Sequence, residues 1–268
     1  MKNILKIENL TVAFPLEKDF LGRVKKKLVA LRGIKLEIRE GEIMGIVGES
    51  GCGKTTLAKA IVGLYEIESG SIVFDEKYKI HKCKKYEDWK NIRKDMQFIF
   101  QDPVSSLDPM LRVEDILLEP VDVFFPELSY DEKQKKILDM LKKVGLSEMI
   151  LYRFPHELSG GQCQRIGIAR ALLPNPKLLI CDESISALDL SVQAQILNLL
   201  KKLKKEMNLS MIFISHNLSV IKYIADRVTV MYLGDIVEQA LCNRIFYHQY
   251  HPYSKALFDS IPSIHPTK

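Results

Sequence analysis

The chain has 268 residues, 47% of them hydrophobic, and a net charge of +5, enough for one large domain or two small ones with a sizeable core. No apolar run approaches the ~18–20 residues that a bilayer crossing needs, and residues 1–6 carry no apolar segment of the signal-peptide kind. The five cysteines (52, 83, 163, 181 and 242) are odd in number and lack a C-x-x-C pair, which argues against a disulfide framework or zinc site and fits a reducing compartment.

Taken in chain order, residues 4–14 and 28–38 alternate apolar positions as half-covered strands do, with a basic loop expected over 15–27. Ile43 to Val47 is a short apolar run of the buried parallel-strand type. It leads into Gly48-Glu49-Ser50-Gly51-Cys52-Gly53-Lys54-Thr55-Thr56, which fits G-x-x-x-x-G-K-[ST] at every fixed position. A helical stretch follows over 57–64. Strand, glycine turn, helix is the context in which backbone N–H groups and a helix N-terminus hold an anion. Lys54 would reach the β- and γ-phosphates, and the Thr55 hydroxyl would ligate Mg²⁺. The bland alternative is a glycine-rich turn that binds nothing. Cys52, inside the loop near a helix start, is expected to have a lowered thiol pKa and to be protected from alkylation by ATP.

A strand is expected at 71–74, then a polar loop and helix over 77–94 and a buried strand at 96–100. Asp102-Pro103, Asp108-Pro109 and Glu119-Pro120 punctuate the next stretch. Residues 112–152 turn helical. Strand patterns resume at 177–182, 211–215 and 228–232, the last joined through Gly234-Asp235 to a hairpin partner at 236–238. An α/β core with a helical insertion at roughly 103–170 follows. Lysines 201, 202, 204 and 205 fall mainly opposite an apolar stripe from Val192 to Met207, so they read as a solvated helix face. No aromatics interleave with them, and no nucleic-acid partner is expected.

The strand at 177–182 runs into Asp182-Glu183. Asp182 is placed to hold Mg²⁺ through its water shell, and Glu183 to orient and deprotonate an attacking water. Many strands end in acids, and the phosphate loop in the same chain is what gives this pair weight. Ser159-Gly160-Gly161-Gln162 opens a helix over 163–172, a second helix N-terminus able to receive an anion. Its plainer reading is an N-cap serine before a flexible turn.

Ser159-Gly160-Gly161-Gln162, with residues 48–55 and Asp182-Glu183, resembles the ATP-binding cassette (ABC) ATPases over nearly the whole chain. The resemblance implies a P-loop NTPase fold: a RecA-like core, an antiparallel β subdomain and an α-helical insertion, with ATP and Mg²⁺ bound. It implies two ATPase subunits closing head to tail, so that Ser159 to Gln162 of one grip the γ-phosphate held by the other. Gln101 matches the glutamine that touches Mg²⁺ and the attacking water. His216 matches the histidine that contacts the γ-phosphate, although a lone histidine there is more often structural. Asp189, in Ser186-Ala187-Leu188-Asp189, falls at the dimer seam. Phe14 is the candidate for stacking on adenine, with an edge-strand core residue as the alternative. Ser184 stands where the family usually has proline.

Phe100 to Pro109, Gly160 to Leu172, and His251-Pro252-Tyr253-Ser254-Lys255-Ala256-Leu257 are similar to the ATPases of oligopeptide and dipeptide importers, and Cys52 to the F-type of their two ATPase subunits. The expected organisation is a nucleotide-binding domain over 1–247 and a tail over 248–268. Implied partners are a second, different ATPase subunit, two membrane permeases and, indirectly, an extracytoplasmic substrate-binding protein, at the cytoplasmic face of the membrane. A nickel or other small-solute importer, a soluble non-transport ABC ATPase and a small-molecule kinase are the competing readings. The signature at 159–162 argues against the kinase.

Overall fold

The computed structural model describes residues 2–18, 24–83, 85–100, 102 and 105–260. Strands β1 (Asn3–Lys18), β2 (Val24–Arg39) and β3 (Ile43–Val47) lead into α1 (Lys54–Ile61), β4 (Ser69–Phe74), β5 (Tyr78–Lys79), α2 (Tyr86–Asp95) and β6 (Met96–Ile99). Next come α3 (Val113–Phe124), α4 (Tyr130–Lys143), α5 (Gly160–Leu172), β7 (Leu178–Asp182), α6 (Leu190–Met207) and β8 (Ser210–Ile214). The last described elements are α7 (Leu218–Ile224), β9 (Arg227–Tyr232), β10 (Asp235–Leu241), α8 (Cys242–Ile245) and α9 (Pro252–Asp259). The chain forms two compact units, one of residues 1–83 with 212–268 and the other of residues 84–211.

In the first unit an antiparallel sheet takes the order β2-β1-β4-β5. Alternate residues of β1 and β2 are buried (Leu5, Ile7, Leu10, Val12; Leu31, Ile34, Leu36, Ile38), the period-2 pattern read in the sequence. The basic loop expected over 15–27 is shorter than that. β1 and β2 stay paired through Pro15↔Lys27 and Glu17↔Lys26, with a Lys26–Glu17 ion pair at 3.1 Å. Opposite charges facing each other across a hairpin favour extending it. Pro15 is tolerated because β4 pairs only with residues 5–11 of β1, leaving that edge unpaired at the proline. The unit also pairs β3 with β9 in parallel and β9 with β10 antiparallel. At the foot of β3, the buried Glu42 takes Arg227 Nη1 at 3.1 Å and the Arg39 N–H at 2.8 Å. All five residues of β3 are buried, so the strand presents its C-terminal end as a fixed platform.

In the second unit β6 and β7 pair in parallel over Met96↔Leu178 to Ile99↔Cys181, and α3 packs on α4 and α5. α4 begins with a reciprocal capping box between Ser129 and Glu132. The helix α3 runs through Glu119-Pro120, where a break was expected. Pro120 is buried on the apolar face of α3 with Val113, Ile116, Leu117 and Val121, and that burial offsets the one backbone bond the ring removes. The lysine-rich helix α6 buries Ile196, Leu197, Leu199, Leu200 and Leu203 and leaves Lys202 and Lys205 exposed. The division of the chain falls within β8. Its first residue, Ser210, donates to Lys177 O within the second unit, and Ser215, just past its end, donates to Ile46 O within the first.

Candidate functional site

The first unit carries the glycine loop at 48–56, directly after β3. A Cβ on Gly48 would lie 2.2 Å from Met231 O of β9, so only glycine lets the loop leave the sheet this close to its neighbour. Gly53 caps α1 in a left-handed conformation (φ 108), which turns the chain sharply into the helix. Lys54 is the first residue of α1 and is 5% exposed. Its ammonium donates to Gly48 O and Glu49 O, both at 2.8 Å. The loop is thus wound around the lysine, and a phosphate entering it meets a cation already inside the ring of backbone groups. Ser50, Gly51 and Thr55 are exposed, while Gly53 and Thr56 are partly so.

Cys52 differs from expectation. Its side chain is 3% exposed, with Sγ 3.8 Å from Lys54 Nζ. Burial shields the thiol from alkylating reagents, whatever the bound nucleotide, so the expected ATP-protected labelling is not a property this geometry favours. The carbonyl of Cys52 instead anchors the loop, accepting the Gly234 N–H at 3.0 Å.

Phe14 is half-buried and packs edge-on against Tyr65, with ring centroids 5.0 Å apart at 82°. Tyr65, which sequence reasoning passed over, follows Gly63 at the end of the α1 region and offers a second aromatic face beside Phe14. His216 is exposed in the two-residue turn after β8. Both sides of that turn are fixed. The Asn217 N–H donates to Ser215 Oγ at 3.0 Å, and Asn217 caps α7 through the Ser219 and Val220 N–H groups. The imidazole therefore stands on a rigid corner at the end of a buried strand.

The second unit carries the acids and the signature turn. Asp182 ends β7 and is 4% exposed. Two residues earlier in space along the same strand end, burial pushes the Cys181 thiol up to about 12, so it stays protonated and inert. Glu183 sits in the left-handed region (φ 47), which a non-glycine residue adopts at a cost of order 1 kcal/mol. The strain is held by Ser186, whose N–H and Oγ donate to Glu183 O at 3.1 and 2.9 Å. Such strain at a carboxylate directly after a buried aspartate marks a functional turn. Ser184 is buried.

Ser159 caps α5 in a reciprocal box. Its hydroxyl accepts the Gln162 N–H at 3.3 Å, and Gln162 Oε1 accepts the Ser159 N–H at 3.0 Å. The plainer reading of Ser159 is therefore correct as far as it goes, and the N–H groups of Gly160 and Gly161 remain at the helix mouth. A Cβ on Gly161 would come 2.8 Å from Val192 Cγ1, and one on Gly160 would come 3.4 Å from Leu188 Cδ2. The signature turn and residues 186–192 are thus packed together, as the resemblance requires of a shared seam. Asp189 caps α6, its Oδ1 accepting Val192 N–H at 2.9 Å and Ser191 Oγ–H at 2.7 Å. Those hydrogen bonds, the backbone one from Val192 first, hold its carboxyl below the usual range.

Gln101 lies outside the described residues. Among the described residues no group of three or more His, Cys, Asp or Glu forms a metal cage. Mg²⁺ shared with nucleotide phosphates needs none, since one or two protein oxygens suffice. The Thr55 hydroxyl and the Asp182 carboxylate are hard donors of that kind. No helix among the described residues is long and apolar enough to cross a membrane.

Comparison with known proteins agrees with these features. A family model described as "ABC transporter" matches residues 31–186. The oligopeptide transport ATP-binding protein OppF of Salmonella typhimurium is 46% identical over 263 residues, covering 97% of this chain and 78% of that protein. The dipeptide transport ATP-binding protein DppF of Lactococcus lactis subsp. cremoris is 44% identical, covering 99% and 83%. The dimeric post-hydrolysis structure of the ATP-binding cassette MJ0796, bound to ADP and Pi, aligns with a TM-score of 0.77 at 29% identity, over 89% of this chain and 98% of that one. The fold is that of a P-loop α/β nucleotide-binding cassette, and the chain belongs to the ABC transporter family of ATPases.

Proposed function

We propose that this chain is the ATP-hydrolysing subunit of an importer for oligopeptides or dipeptides, of the F type, working with a second, different ATPase subunit. The observation that carries the reading is the extent of similarity. The family model ends at residue 186, whereas the likeness to peptide-transport ATPases spans 97% of the chain and so includes most of the stretch beyond it. Two permeases and, through them, an extracytoplasmic binding protein complete the assembly, with this chain on the cytoplasmic face of the membrane. The nucleotide-binding domain covers 1–247 and the tail 248–268.

In this reading Lys54 and the N–H groups of residues 48–56 bind the β- and γ-phosphates, with Phe14 against the adenine. Thr55, Gln101 and Asp182 hold Mg²⁺, whose contribution is to neutralise the phosphate oxygens. Glu183 takes the proton from a water aligned with the γ-phosphorus, and the bond to the leaving ADP oxygen breaks as the new P–O bond forms. His216, together with Ser159, Gly160, Gly161 and Gln162 of the facing subunit and Asp189 at the seam, stabilises charge on the transferred group. Closure of the two ATPases around ATP drives the permeases, and hydrolysis reopens them.

Affinity purification of the tagged chain from its native membranes tests the assembly. Recovery of two integral membrane proteins and a second ATPase, with ATP turnover raised by peptide-loaded binding protein, is the expected result. Recovery of ribosomes or DNA in their place would contradict it.

A further inference from the structure

The tail motif His251-Pro252-Tyr253-Ser254 is built into the first unit more firmly than an appendage would be. Glu238 of β10 accepts the Tyr250 and His251 N–H groups, at 3.0 and 3.1 Å. His251 then caps α9, its Nδ1 accepting the Tyr253 N–H at 3.2 Å. Further along, Phe258 of α9 meets Phe246 edge-on, with centroids 4.7 Å apart. The start of α9 is therefore fixed in place, and Tyr253 is its second residue.

From there Tyr253 reaches the phosphate loop. Its ring packs on Tyr232 with centroids 4.2 Å apart, and its hydroxyl oxygen accepts the Glu49 N–H at 3.0 Å. Tyr232 belongs to the segment that supports the loop from beneath. Met231 O lies under Gly48, and the Gly234 N–H donates to Cys52 O. One hairpin thus bears on the loop at Gly48 and Cys52, and carries on its return strand the glutamate that fastens the tail. The loop's remaining early donor, Glu49 N–H, is taken by the tail itself. Burial raises the Tyr253 phenol above its ordinary value, so the hydroxyl stays protonated.

We propose that Tyr253 is a positioning residue for nucleotide: by fixing the Glu49 N–H it presets the entry of the phosphate loop, and the C-terminal helix α9 is a working part of the nucleotide site. The inference rests on the reading that residues 48–56 bind ATP phosphates. Preorganising the loop lowers the ordering that phosphate binding would otherwise require.

The test uses the full chain with Tyr253→Phe, which removes one oxygen and keeps the ring on Tyr232. Affinity for Mg·AMP-PNP should fall about two- to tenfold, the span that one net hydrogen bond represents. The nucleotide-induced rise in Tm should shrink, while the Tm of nucleotide-free protein changes little. In the assembled transporter the loss should fall on KM for ATP rather than on kcat. Unchanged affinity overturns the proposal, and so does a lower nucleotide-free Tm with unchanged affinity, which is the mark of a structural role alone. Should the variant not fold, amide exchange in the wild-type chain decides. A Glu49 amide exchanging as fast as an unhindered exposed one overturns the tether, and a protected one supports it. Lys54→Ala serves as the control. If it binds AMP-PNP like wild type, the phosphate-loop reading itself has failed, which is a different result from failure of the tether.

Discussion

The ammonium of Lys54 stands 2.8 Å from the carbonyl oxygen of Gly48, six residues back, so the phosphate loop closes on its own lysine. A ligand phosphate replaces neutral carbonyl acceptors with a dianionic one, which is the stronger partner for an ammonium. Lys54→Ala is expected to weaken ATP binding about 10- to 100-fold, in line with ~1.5–3 kcal/mol for a hydrogen bond to a charged group. Titration calorimetry with ATP measures it. An unchanged affinity would remove the lysine from the site.

Gly48→Ala tests the loop's seat. The added Cβ would fall 2.2 Å from Met231 O, a backbone atom that cannot swing aside. Loss of about 2–4 kcal/mol is expected from the clash and the strained φ together. Urea unfolding followed by circular dichroism gives the number, and a loss under 1 kcal/mol, on the order of a surface substitution, would show that the loop is softer than its geometry indicates.

Ser159 has two separable tasks. Ser159→Ala removes the α5 cap and should cost about 1 kcal/mol, whereas Ser159→Asn can still cap and should recover most of that stability. If the serine also contacts the γ-phosphate of the facing subunit, ATPase turnover stays low in both variants. Recovery of turnover alongside stability in the asparagine variant would reduce Ser159 to a cap.

Much of this was legible in the sequence because it depends on local pattern. The phosphate loop announces itself by fixed spacing, and β3, β7 and β8 by short wholly apolar runs. The signature turn shows as Ser159 three residues before Gln162, a capping-box spacing. What stayed hidden depends on contacts far apart in the chain. The hairpin continuing through 15–18 and 24–27 needed the Glu17–Lys26 pairing, which no single-strand pattern shows. Pro120 read as a break because its burial on α3 is tertiary. Cys52 read as a reactive thiol because the turn alone does not say which side chains face inward. Tyr253 was visible as part of a motif, but its partner at Glu49 lies 204 positions away.

The anchoring of the tail should depend on pH. Burial raises the Glu238 carboxyl, but the neighbouring Ser254 hydroxyl, the Tyr250 and His251 N–H groups and the His251 ring outweigh it, leaving Glu238 below its ordinary value. A carboxyl depressed on folding contributes stability above its unfolded value, near 4.3, and that contribution is lost as pH falls through the lower folded value. Amide exchange at Tyr250 and His251 should therefore speed up below about pH 4 beyond the intrinsic rate. Glu238→Gln should remove that acid-side change. An acid-side change that persists in the variant would assign it to another group.

The central claim is that ATP hydrolysis at Glu183 drives peptide import. Glu183 occupies a left-handed position held by Ser186, and Glu183→Gln keeps the shape and the backbone while removing the base. Turnover should drop by about 10²–10⁴, the range for loss of a general base, with ATP binding retained. The most direct measurement is uptake of a labelled tripeptide by cells carrying either the wild-type chain or Glu183→Gln, at matched amounts in the membrane. Uptake abolished in the variant is the predicted result. Uptake that continues at the wild-type rate would contradict the claim that this site powers peptide transport.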